Sequence, residues 1–356
     1  MKIIVSGSCG FVGSTLINAL LDADPTLQVF GLDNFIRPGS YYNREPLQRR
    51  GVRLFHGDVR NPSDLENLPA VDWIIDAAAN ASVLAGIDGK TSSRQLVEHN
   101  LFGTVNMLEL AKQQGAGFIL LSTSRVYSIE TLAALPVMPK DGAFTLAKSE
   151  TLPSGVSERG VSEEFSTDPP LSLYGTSKIA SETLALEYGA TFGFPVWINR
   201  CGVLAGAGQF GRPDQGIFAF WINSYLRRAP LAYIGFEGTG FQTRDCLHPR
   251  DLVPVITAQM DEKGSKRPKT VNLGGGSDHA MSLTQLSNWC AERFGQHKVT
   301  ADPRPRRFDI PWLIMDSTRA AAEWDWKPQT SLDSILDEIA AHAEANPHWL
   351  QISAVL

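Results

Sequence analysis

Short apolar runs alternate with amphipathic stretches through the first two hundred residues of the chain. The runs lie at residues 2–6, 28–32, 52–55, 73–76, 118–121 and 196–199. They lack the polar alternation of half-exposed strands, as is typical of parallel strands that helices cover on both faces. Helical spacing follows the first run, at Leu16, Ile17, Leu20 and Leu21. The pattern therefore predicts an α/β protein built on a Rossmann-like, doubly wound parallel sheet.

The pattern changes after residue 200, where we expect a smaller mixed α/β domain. Residues 202–216 are rich in Gly, Pro and Gln and predict a binding loop. Helices are predicted at 218–228, 248–259, 283–294 and 332–346, and short strands at 231–234 and 271–273. The expected domains are a dinucleotide-binding domain of residues 1–200, to which the chain returns at about 241–262, and a substrate-binding domain of residues 201–240 and 263–350.

A glycine-rich turn follows the first predicted strand and opens a helix. Gly7, Gly10 and Gly13 would allow a tight turn, close approach of the backbone to a pyrophosphate, and an anion site at the helix N-terminus. Asp33 ends the second strand, twenty residues after Gly13. A carboxylate there binds the ribose hydroxyls and repels a 2′-phosphate, so it favours NAD over NADP. Arg37, four residues further on, leaves NADP open as an alternative.

The ends of the next two strands carry further candidate cofactor contacts. Asp58 follows the third strand, where it would meet the adenine edge. Ala77, Ala78 and Ala79 follow the fourth, and side chains this small would let a dinucleotide lie against the backbone. Asn100 lies inside the long helix that comes next. A buried Asn in a helix is more often a structural hydrogen-bonding residue, and Asn100 is also a candidate cofactor contact.

Tyr174 and Lys178 form the pair on which a catalytic function depends. They are four residues apart, so they lie on one face of the predicted helix from residue 174 to 192. An ammonium beside a phenol favours the ionised form and would draw the phenol pKa from about 10 toward neutrality, which makes a general base. Taken alone, the spacing favours a surface Tyr and a solvated Lys. The glycine turn and the hydroxyls of Ser122, Thr123 and Ser124, at the carboxyl end of the fifth strand, favour catalysis.

These motifs together are similar to those of extended short-chain dehydrogenases/reductases, in particular the NAD-dependent nucleotide-sugar epimerase/dehydratase family. The likeness covers almost the whole chain, in the family's order and spacing. It rests on GSCGFVG at 7–13, LDN at 32–34, HGDVR at 56–60, NLFGT at 100–104, STSRVY at 122–127 and YGTSK at 174–178.

The resemblance implies roles for individual residues. It implies that Thr123, Tyr174 and Lys178 are the catalytic residues. The cofactor NAD would be held by Tyr174 and Lys178 together with Gly7, Gly10, Phe11, Val12, Gly13, Asp33, Asn34, Asp58, Val59, Ala77, Ala78, Ala79 and Asn100. The expected substrate contacts are Ser82, Ser124, Arg125 and Gln209. Tyr233 or its neighbour Ile234 would contact the nucleotide base, and Arg244, Arg306 and Arg307 are the candidates for binding phosphate. Each of these last three could instead be a solvated surface arginine.

Within the family, the chain most resembles the CDP-paratose (CDP-tyvelose) 2-epimerases, whose STNKVY motif is similar to STSRVY here. It departs from the family at Ser128, where Gly is usual, and in lacking the Asn that many relatives carry after the sixth strand. Dehydratases place Asp-Glu after the catalytic Thr, and Ser124-Arg125 stands there in this chain. Arginine is no general base, so dehydration is not expected.

The expected reaction is therefore NAD-dependent epimerisation of a nucleotide-diphosphate sugar through a transient keto-sugar, at C2 of a CDP-linked sugar. UDP-, GDP- and dTDP-sugars stay open as substrates. The alternatives are a ketoreductase or dehydrogenase of the same fold, and a non-catalytic dinucleotide-binding sensor. The family also implies a homodimer that pairs through helices including the one that carries Tyr174.

Composition adds mainly exclusions. The net charge is −6 without a block of like charges, so nucleic acid is not an expected partner. No apolar run approaches a membrane span, and Met1-Lys2 leads directly into a strand rather than a signal peptide. Four scattered cysteines fit thiols in a reducing cytoplasm, the expected location. The histidines are isolated, and no metal-ligand spacing occurs, so no metal is expected.

Overall fold

Seven parallel strands form the central sheet in the computed structural model, which describes residues 1–87, 89, 92–148, 151–262 and 266–353. They are β1 (Lys2–Ser6), β2 (Gln28–Asp33), β3 (Arg53–His56), β4 (Trp73–Asp76), β5 (Gly117–Thr123), β6 (Val196–Cys201) and β7 (Thr270–Leu273). Their order in the sheet is β7-β6-β5-β4-β1-β2-β3. The order in which strands are added reverses between β1 and β4, although all strands stay parallel, and this is the switch point where such folds bind ligands. The predicted doubly wound sheet is confirmed.

The helices are α1 (Phe11–Ala23), α2 (Arg44–Arg49), α3 (Pro62–Leu65), α4 (Ser93–Val97), α5 (Gly103–Gln114), α6 (Ile129–Ala133), α7 (Leu173–Phe192), α8 (Ile217–Leu226), α9 (Val253–Asp261), α10 (Leu283–Phe294), α11 (Thr318–Trp324), α12 (Leu332–Ala345) and α13 (Trp349–Ile352). Alternate strand residues pack on opposite faces of the sheet. Ile3 and Ile75 join the core on the α1 and α9 side, whereas Ile4 and Ile74 join the core on the α5 and α7 side. Burial on both faces explains why the strands show no polar alternation.

The strand register brings the chemistry-bearing residues to one edge of the sheet. Ser6 of β1 pairs with Asp76 of β4, and Cys201 of β6 pairs with Thr123 of β5. All four residues stand at the carboxyl ends of parallel strands, where ligands bind in open α/β sheets. The register therefore places the predicted glycine turn and Thr123 along the same crevice.

The long helix predicted after β4 contains an irregular turn. It runs as α4, then a π-helical turn at Glu98–Phe102, then α5. Asn100 lies in this turn and is buried. Its amide accepts from the Asn80 backbone N–H at 2.8 Å, and donates to the Asn80 carbonyl and the Ser177 hydroxyl at 3.1 Å each. These bonds hold the loop after β4 against α7, which fits the structural interpretation of Asn100.

A second layer of structure covers the carboxyl edge of the sheet. Helices α8, α10 and α12 pack around buried Trp221, Leu286 and Ile339. A strand at Leu231–Ile234 pairs with Val299–Asp302. Another, at Thr243–Leu247, pairs with Val203–Leu204, Ala280–Ser282 and Trp312–Leu313.

The expected boundary between the domains needs correction. Strand β7, expected in the second domain, pairs with β6 in the central sheet. Helix α11 also returns to that sheet, and its Trp324 packs edge-on against Trp197 of β6, with 5.0 Å between ring centroids. Residues 270–273 and 318–324 therefore lie with the first domain. The strand at Thr243–Leu247, in turn, belongs to the second layer. Three or four apolar residues do not reveal which sheet they join, because both sheets are buried.

The four cysteines are free thiols and all are buried. Across the described residues, none of the helices combines the length and the apolar character needed to cross a bilayer.

Candidate active site

The glycine turn after β1 packs tightly against the loop after β4. Gly7 has a positive φ of 62°, and a Cβ added there would lie 3.0 Å from the Ala78 Cα. A Cβ on Gly13 would overlap the Gly7 carbonyl oxygen. The N-cap of α1 is Gly10, which has no capping side chain. This cradle of bare backbone fits the pyrophosphate of the expected dinucleotide.

Asp33 is fixed against this turn. Its Oδ2 accepts from the Cys9 backbone N–H and its Oδ1 from the Phe35 backbone N–H, each at 2.8 Å. Burial raises the pKa of the carboxyl group above its usual value, although these hydrogen bonds oppose the rise. The carboxylate is thus held at the end of β2 beside the cradle, as ribose recognition requires.

The Arg37 guanidinium binds other protein groups rather than a site for the 2′-phosphate of NADP. Its guanidinium donates to the Gln215 side-chain oxygen at 2.8 Å and to the Phe210 carbonyl. Burial and the nearby charge of Arg212 lower its pKa to about 10. Because both acceptors belong to the loop at residues 202–216, Arg37 anchors that loop. This placement favours NAD over the NADP alternative.

Asp58 lies between two side chains just after β3, where the sequence predicts contact with the adenine. Asn34 donates to its Oδ2 at 2.9 Å, and Arg60 forms an ion pair at 2.6 Å. Burial works to raise the pKa of Asp58, but the hydrogen bonds from Arg60 and Asn34 outweigh it and hold the pKa below its usual value. Val59 is buried against Gly103, where a Cβ would come within 2.7 Å of its side chain.

Tyr174 and Lys178 lie on the inward face of α7, at 6% and 2% exposure, so neither is a solvated surface residue. The helix begins under a cap in which the Ser172 hydroxyl accepts from the Gly175 N–H at 3.1 Å. The Thr123 side chain lies close enough to the Tyr174 phenol to lower its pKa. It also accepts from the Arg125 N–H at 3.2 Å. The structure therefore brings all three predicted catalytic residues to the crevice.

The pKa expected for Tyr174 is wrong for the protein alone. Burial raises it to about 12, and Cys201 adds to the rise, whereas the Thr123 hydrogen bond and the Arg125 charge lower it. Burial also lowers the pKa of Lys178, on which the carboxylates of Asp76 and Glu182 act in the opposite direction. Desolvation of a fully enclosed phenol outweighs the cations around it.

Sequence reasoning missed a buried ion pair directly behind these residues. Glu182 is 2% exposed and lies one helical turn beyond Lys178. Arg200 of β6 donates to both of its carboxylate oxygens, with Nη2 at 2.7 Å and Nε at 3.0 Å from Oε2, and Ser122 donates to Oε1. The spacing of residues 174, 178 and 182 on one helix face was the signal that could have revealed Glu182.

One cavity of about 1120 Å³ extends from the cofactor cleft into the second layer. It begins at Val12, Ala77 and Ala79 and passes Thr123 and Tyr174. It ends among the predicted substrate-binding residues Ser124, Arg125, Gln209, Arg244, Arg306 and Arg307. This volume is slightly above the range of about 300–1,000 Å³ for ligand pockets. It is consistent with a cavity that admits a cofactor ring and a substrate together.

Arg244 is a buried arginine rather than a solvated one. It pairs with Asp309 at 3.3 Å and donates to the Ile310 carbonyl at 2.7 Å. Burial and the charge of Arg125 lower its pKa to about 10. Arg306 is half-buried and donates to the Pro213 carbonyl at 3.1 Å, and Arg307 is exposed at the cavity wall.

Tyr233 does not face the cavity, which corrects the expectation that it contacts substrate. Its ring stacks on Trp221, with centroids 5.5 Å apart, and its hydroxyl donates to Ser287 at 2.7 Å. Strand residues alternate between faces. The other candidate, Ile234, therefore lines the cavity.

Ser82 and Phe11 have protein partners of their own. The Ser82 hydroxyl donates to Asp214, at the cavity wall, at 2.6 Å. Phe11 is buried with Phe210 and Trp349. A contact of Phe11 with the cofactor would therefore involve its backbone. No group of three or more His, Cys, Asp or Glu side chains arranged for a metal ion occurs within the described ranges.

Replacing Gly175 should impair the site without altering its chemistry. A Cβ there would overlap the Arg125 carbonyl oxygen at the end of β5. In a free helix, Gly→Ala stabilises by about 1 kcal/mol. We expect Gly175→Ala instead to lower both the melting temperature and turnover, the latter by roughly 10-fold or more, because a misplaced catalytic group is costly. Thr176→Ala, at the exposed neighbour, is the control. Unchanged turnover in Gly175→Ala would show that the contact does not position Tyr174.

Comparison with known proteins identifies the family. The family model described as the NAD dependent epimerase/dehydratase family matches residues 3–274. CDP-paratose 2-epimerase of Salmonella typhi is 26% identical, over 93% of this chain and 96% of the relative.

Solved structures agree in fold. The UDP-glucose 4-epimerase of Thermotoga maritima superposes with a TM-score of 0.77 at 22% identity, covering 98% of this chain and all of that one. The UDP-glucuronic acid 4-epimerase of Bacillus cereus, solved with UDP-glucuronic acid and NAD, has a TM-score of 0.72 at 25% identity, covering 97% and 99%. These findings confirm the expected enzyme class and NAD as the cofactor. The chain belongs to the NAD-dependent epimerase/dehydratase family of nucleotide-sugar enzymes.

Proposed function

We propose that this enzyme inverts a hydroxyl-bearing carbon of a nucleotide-diphosphate sugar through a transient keto-sugar. One observation carries the proposal: Thr123 and Tyr174 line a single cavity that joins the cofactor cleft to a group of arginines. A substrate whose diphosphate lies among the arginines can then present its sugar to the Tyr174 phenol. In this proposal the first domain holds NAD, and the layer built on α8, α10 and α12 holds the nucleotide.

The charges around the cavity support a diphosphate ligand. Five arginines and three aspartates line it. Arg304 is paired with Asp302 at 2.7 Å and Arg244 with Asp309 at 3.3 Å. The excess of two positive charges matches the charge of a diphosphate bridge, and guanidinium groups bind phosphate oxygens in bidentate fashion.

Each catalytic residue has a proposed task. Bound NAD supplies the hydride acceptor and donor. Tyr174 removes the proton from a sugar hydroxyl and later returns it to the keto oxygen. Thr123, whose side chain lies close to the phenol, orients the same oxygen. Lys178 places a positive charge one helical turn from Tyr174 and holds the nicotinamide ribose. When the keto-sugar presents its other face, reduction inverts the carbon.

Arg125 supports epimerisation over dehydration. It stands where dehydratases have an acidic residue, and its guanidinium lines the cavity beside Tyr174. An arginine cannot remove a proton at accessible pH. Its charge lowers the Tyr174 pKa instead, which favours the base form needed for epimerisation.

For the substrate itself we propose C2 of a CDP-linked sugar. The support is the STSRVY segment and the near full-length match to CDP-paratose 2-epimerase. Because similar structures are named for UDP-sugars, UDP-, GDP- and dTDP-sugars belong in the same panel. Nuclear magnetic resonance of the products would identify the inverted carbon. Turnover without added cofactor favours epimerisation, whereas a requirement for stoichiometric NAD(H) would indicate the ketoreductase alternative. Inactivity toward the whole panel would favour a sensor.

Tyr174→Phe tests the base. We expect turnover to fall at least ~100-fold, because general acid–base groups contribute about 10²–10⁴, while bound NAD and the melting temperature stay near those of the unmodified protein. Tyr188→Phe on the same helix is the matched control, since its hydroxyl bonds Glu109 at 2.7 Å outside the cavity. A fully active Tyr174→Phe variant would falsify the assignment.

Arg244→Met tests the diphosphate site. Losing a buried charge-assisted contact should weaken binding of the nucleotide diphosphate by roughly 10- to 100-fold, measured by calorimetry with CDP. Arg293→Met is the control, because Arg293 lies outside the cavity lining and is paired with Asp337 at 2.6 Å. Equal effects in the two variants would place the diphosphate elsewhere.

We propose a homodimer that pairs through helices including α7, as the family implies. For the second helix we propose α5, which packs beside α7. Phe102, just before α5, and Phe192, at the end of α7, are exposed at 54% and 50%. Large exposed aromatic side chains on neighbouring helices favour a covered face. Sedimentation equilibrium should give twice the mass of one chain, and a single-chain mass at all concentrations would contradict the proposal.

A further inference from the structure

Four buried charged residues lie on β4, on β6 and on α7, the helix that carries the catalytic tyrosine, and the proposed reaction uses only one of them. Lys178, Asp76 and Glu182 are each 2% exposed, and Arg200 is 8% exposed. Two are cations and two are carboxylates, so the group is neutral as a whole. We call these four residues the charge quartet. Isolated buried charges are costly, so such a set needs a physical account.

The Glu182 carboxylate is the most firmly held member. Arg200 binds it with Nη2 at 2.7 Å and Nε at 3.0 Å from Oε2, and Ser122 donates to Oε1. Arg200 also donates to the Tyr127 hydroxyl at 3.4 Å, and that hydroxyl donates to Asn272 at 2.6 Å. The carboxylate therefore cannot move without breaking contacts to β5 and β6.

Asp76 is fixed in the same way from the other side. Its Oδ1 accepts from the Ser6 hydroxyl at 2.5 Å and its Oδ2 from the Thr104 hydroxyl at 2.7 Å. Both donors are neutral, so the Asp76 charge is left for a cation. Lys178 is the cation on which Asp76 and Glu182 act. Lys178 and Glu182 are also one turn apart on α7, the spacing at which opposite charges attract.

We propose that Glu182 is a positioning residue of the active site: held by Arg200 and Ser122, its carboxylate keeps the Lys178 ammonium charged and in place beside Tyr174. The proposal rests on the role assigned to Lys178 above. The competing explanation is purely structural, in which the Glu182–Arg200 pair only ties α7 to β6. The two differ in their dependence on pH.

The groups that face Lys178 determine the sign of that dependence. Asp76 from β4, Glu182 from α7 and Cys201 from β6 act on Lys178. Arg200 binds Glu182 and Tyr127 behind them, and Tyr174 is one turn earlier on α7. Burial raises the pKa values of Tyr174, Tyr127 and Cys201 to about 12 each, whereas burial lowers that of Lys178. Among these groups, Lys178 is therefore the one whose charge is lost as the pH rises. Removing the Glu182 charge should make it lose its proton at lower pH.

The test is the pH profile of cofactor binding and of turnover in Glu182→Gln, followed over roughly pH 6 to 10. Binding of NADH, followed by its fluorescence, needs no sugar, so this arm is independent of the proposed substrate. We expect the alkaline limb of both profiles to shift to lower pH by about one unit. At a fixed alkaline pH, this shift corresponds to a ~10-fold loss of NADH binding and of turnover. Glu182→Asp, which keeps the charge, should leave the limb near its original position.

A charge-balanced double variant separates charge from packing. Glu182→Gln with Arg200→Met leaves Lys178 opposite Asp76, so the alkaline limb should return toward that of the unmodified protein even if the melting temperature falls further. This variant and Glu182→Asp decide the matter if Glu182→Gln alone does not fold. The proposal would be overturned if NADH binding and turnover fell by the same factor at every pH, both in Glu182→Gln and in the double variant. An unshifted limb in Lys178→Met would do so as well.

Discussion

The active site depends on one close backbone contact, between the first turn of α7 and the turn that follows β5. Gly175 lies against the Arg125 carbonyl with no room for a side chain. This approach puts the Tyr174 phenol within reach of Thr123 and directs Lys178 inward. A tyrosine and a lysine at the same spacing on an exposed helix would keep ordinary pKa values and perform no chemistry. Position in the sheet, more than the motif itself, makes them candidates for catalysis.

Burial brings an electrostatic cost that the surrounding residues offset only in part. A phenol enclosed at this depth resists ionisation, and an enclosed ammonium resists protonation. The protein places carboxylates beside Lys178 and a guanidinium, that of Arg125, beside Tyr174. Arg125 stands where dehydratases have an acidic residue. The replacement removes a general base and adds a positive charge near the phenol. In the proposed reaction, this one position would favour epimerisation over dehydration and also lower the pKa of the base.

Features encoded over short stretches of sequence were predictable, whereas those set by tertiary packing were not. The glycine turn, the first six strands and α7 follow from local spacing and composition. Strand β7 does not, because a short buried run fits either sheet. Tyr233 was one of two candidates for contact with the nucleotide base. Strand alternation places it on the face opposite Ile234, which is the residue that lines the cavity. Glu182 and Arg200 meet across 18 residues of sequence, and only the fold shows that their charges share a buried space with Lys178.

The cofactor site and the substrate site also differ in how they are built. The glycine cradle is formed by backbone and by the absence of side chains, so it tolerates little change and fixes the cofactor. The sugar end is lined by side chains from the loop at residues 202–216, which is anchored at separate points by Arg37, Ser82 and Arg306. Changes in this loop can reshape the sugar pocket while the anchors and the catalytic residues stay in place. That division explains how relatives named for different nucleotides and sugars share one fold. If the proposed site is correct, we expect the residues of this loop, more than Tyr174 or Lys178, to determine which sugar the enzyme accepts.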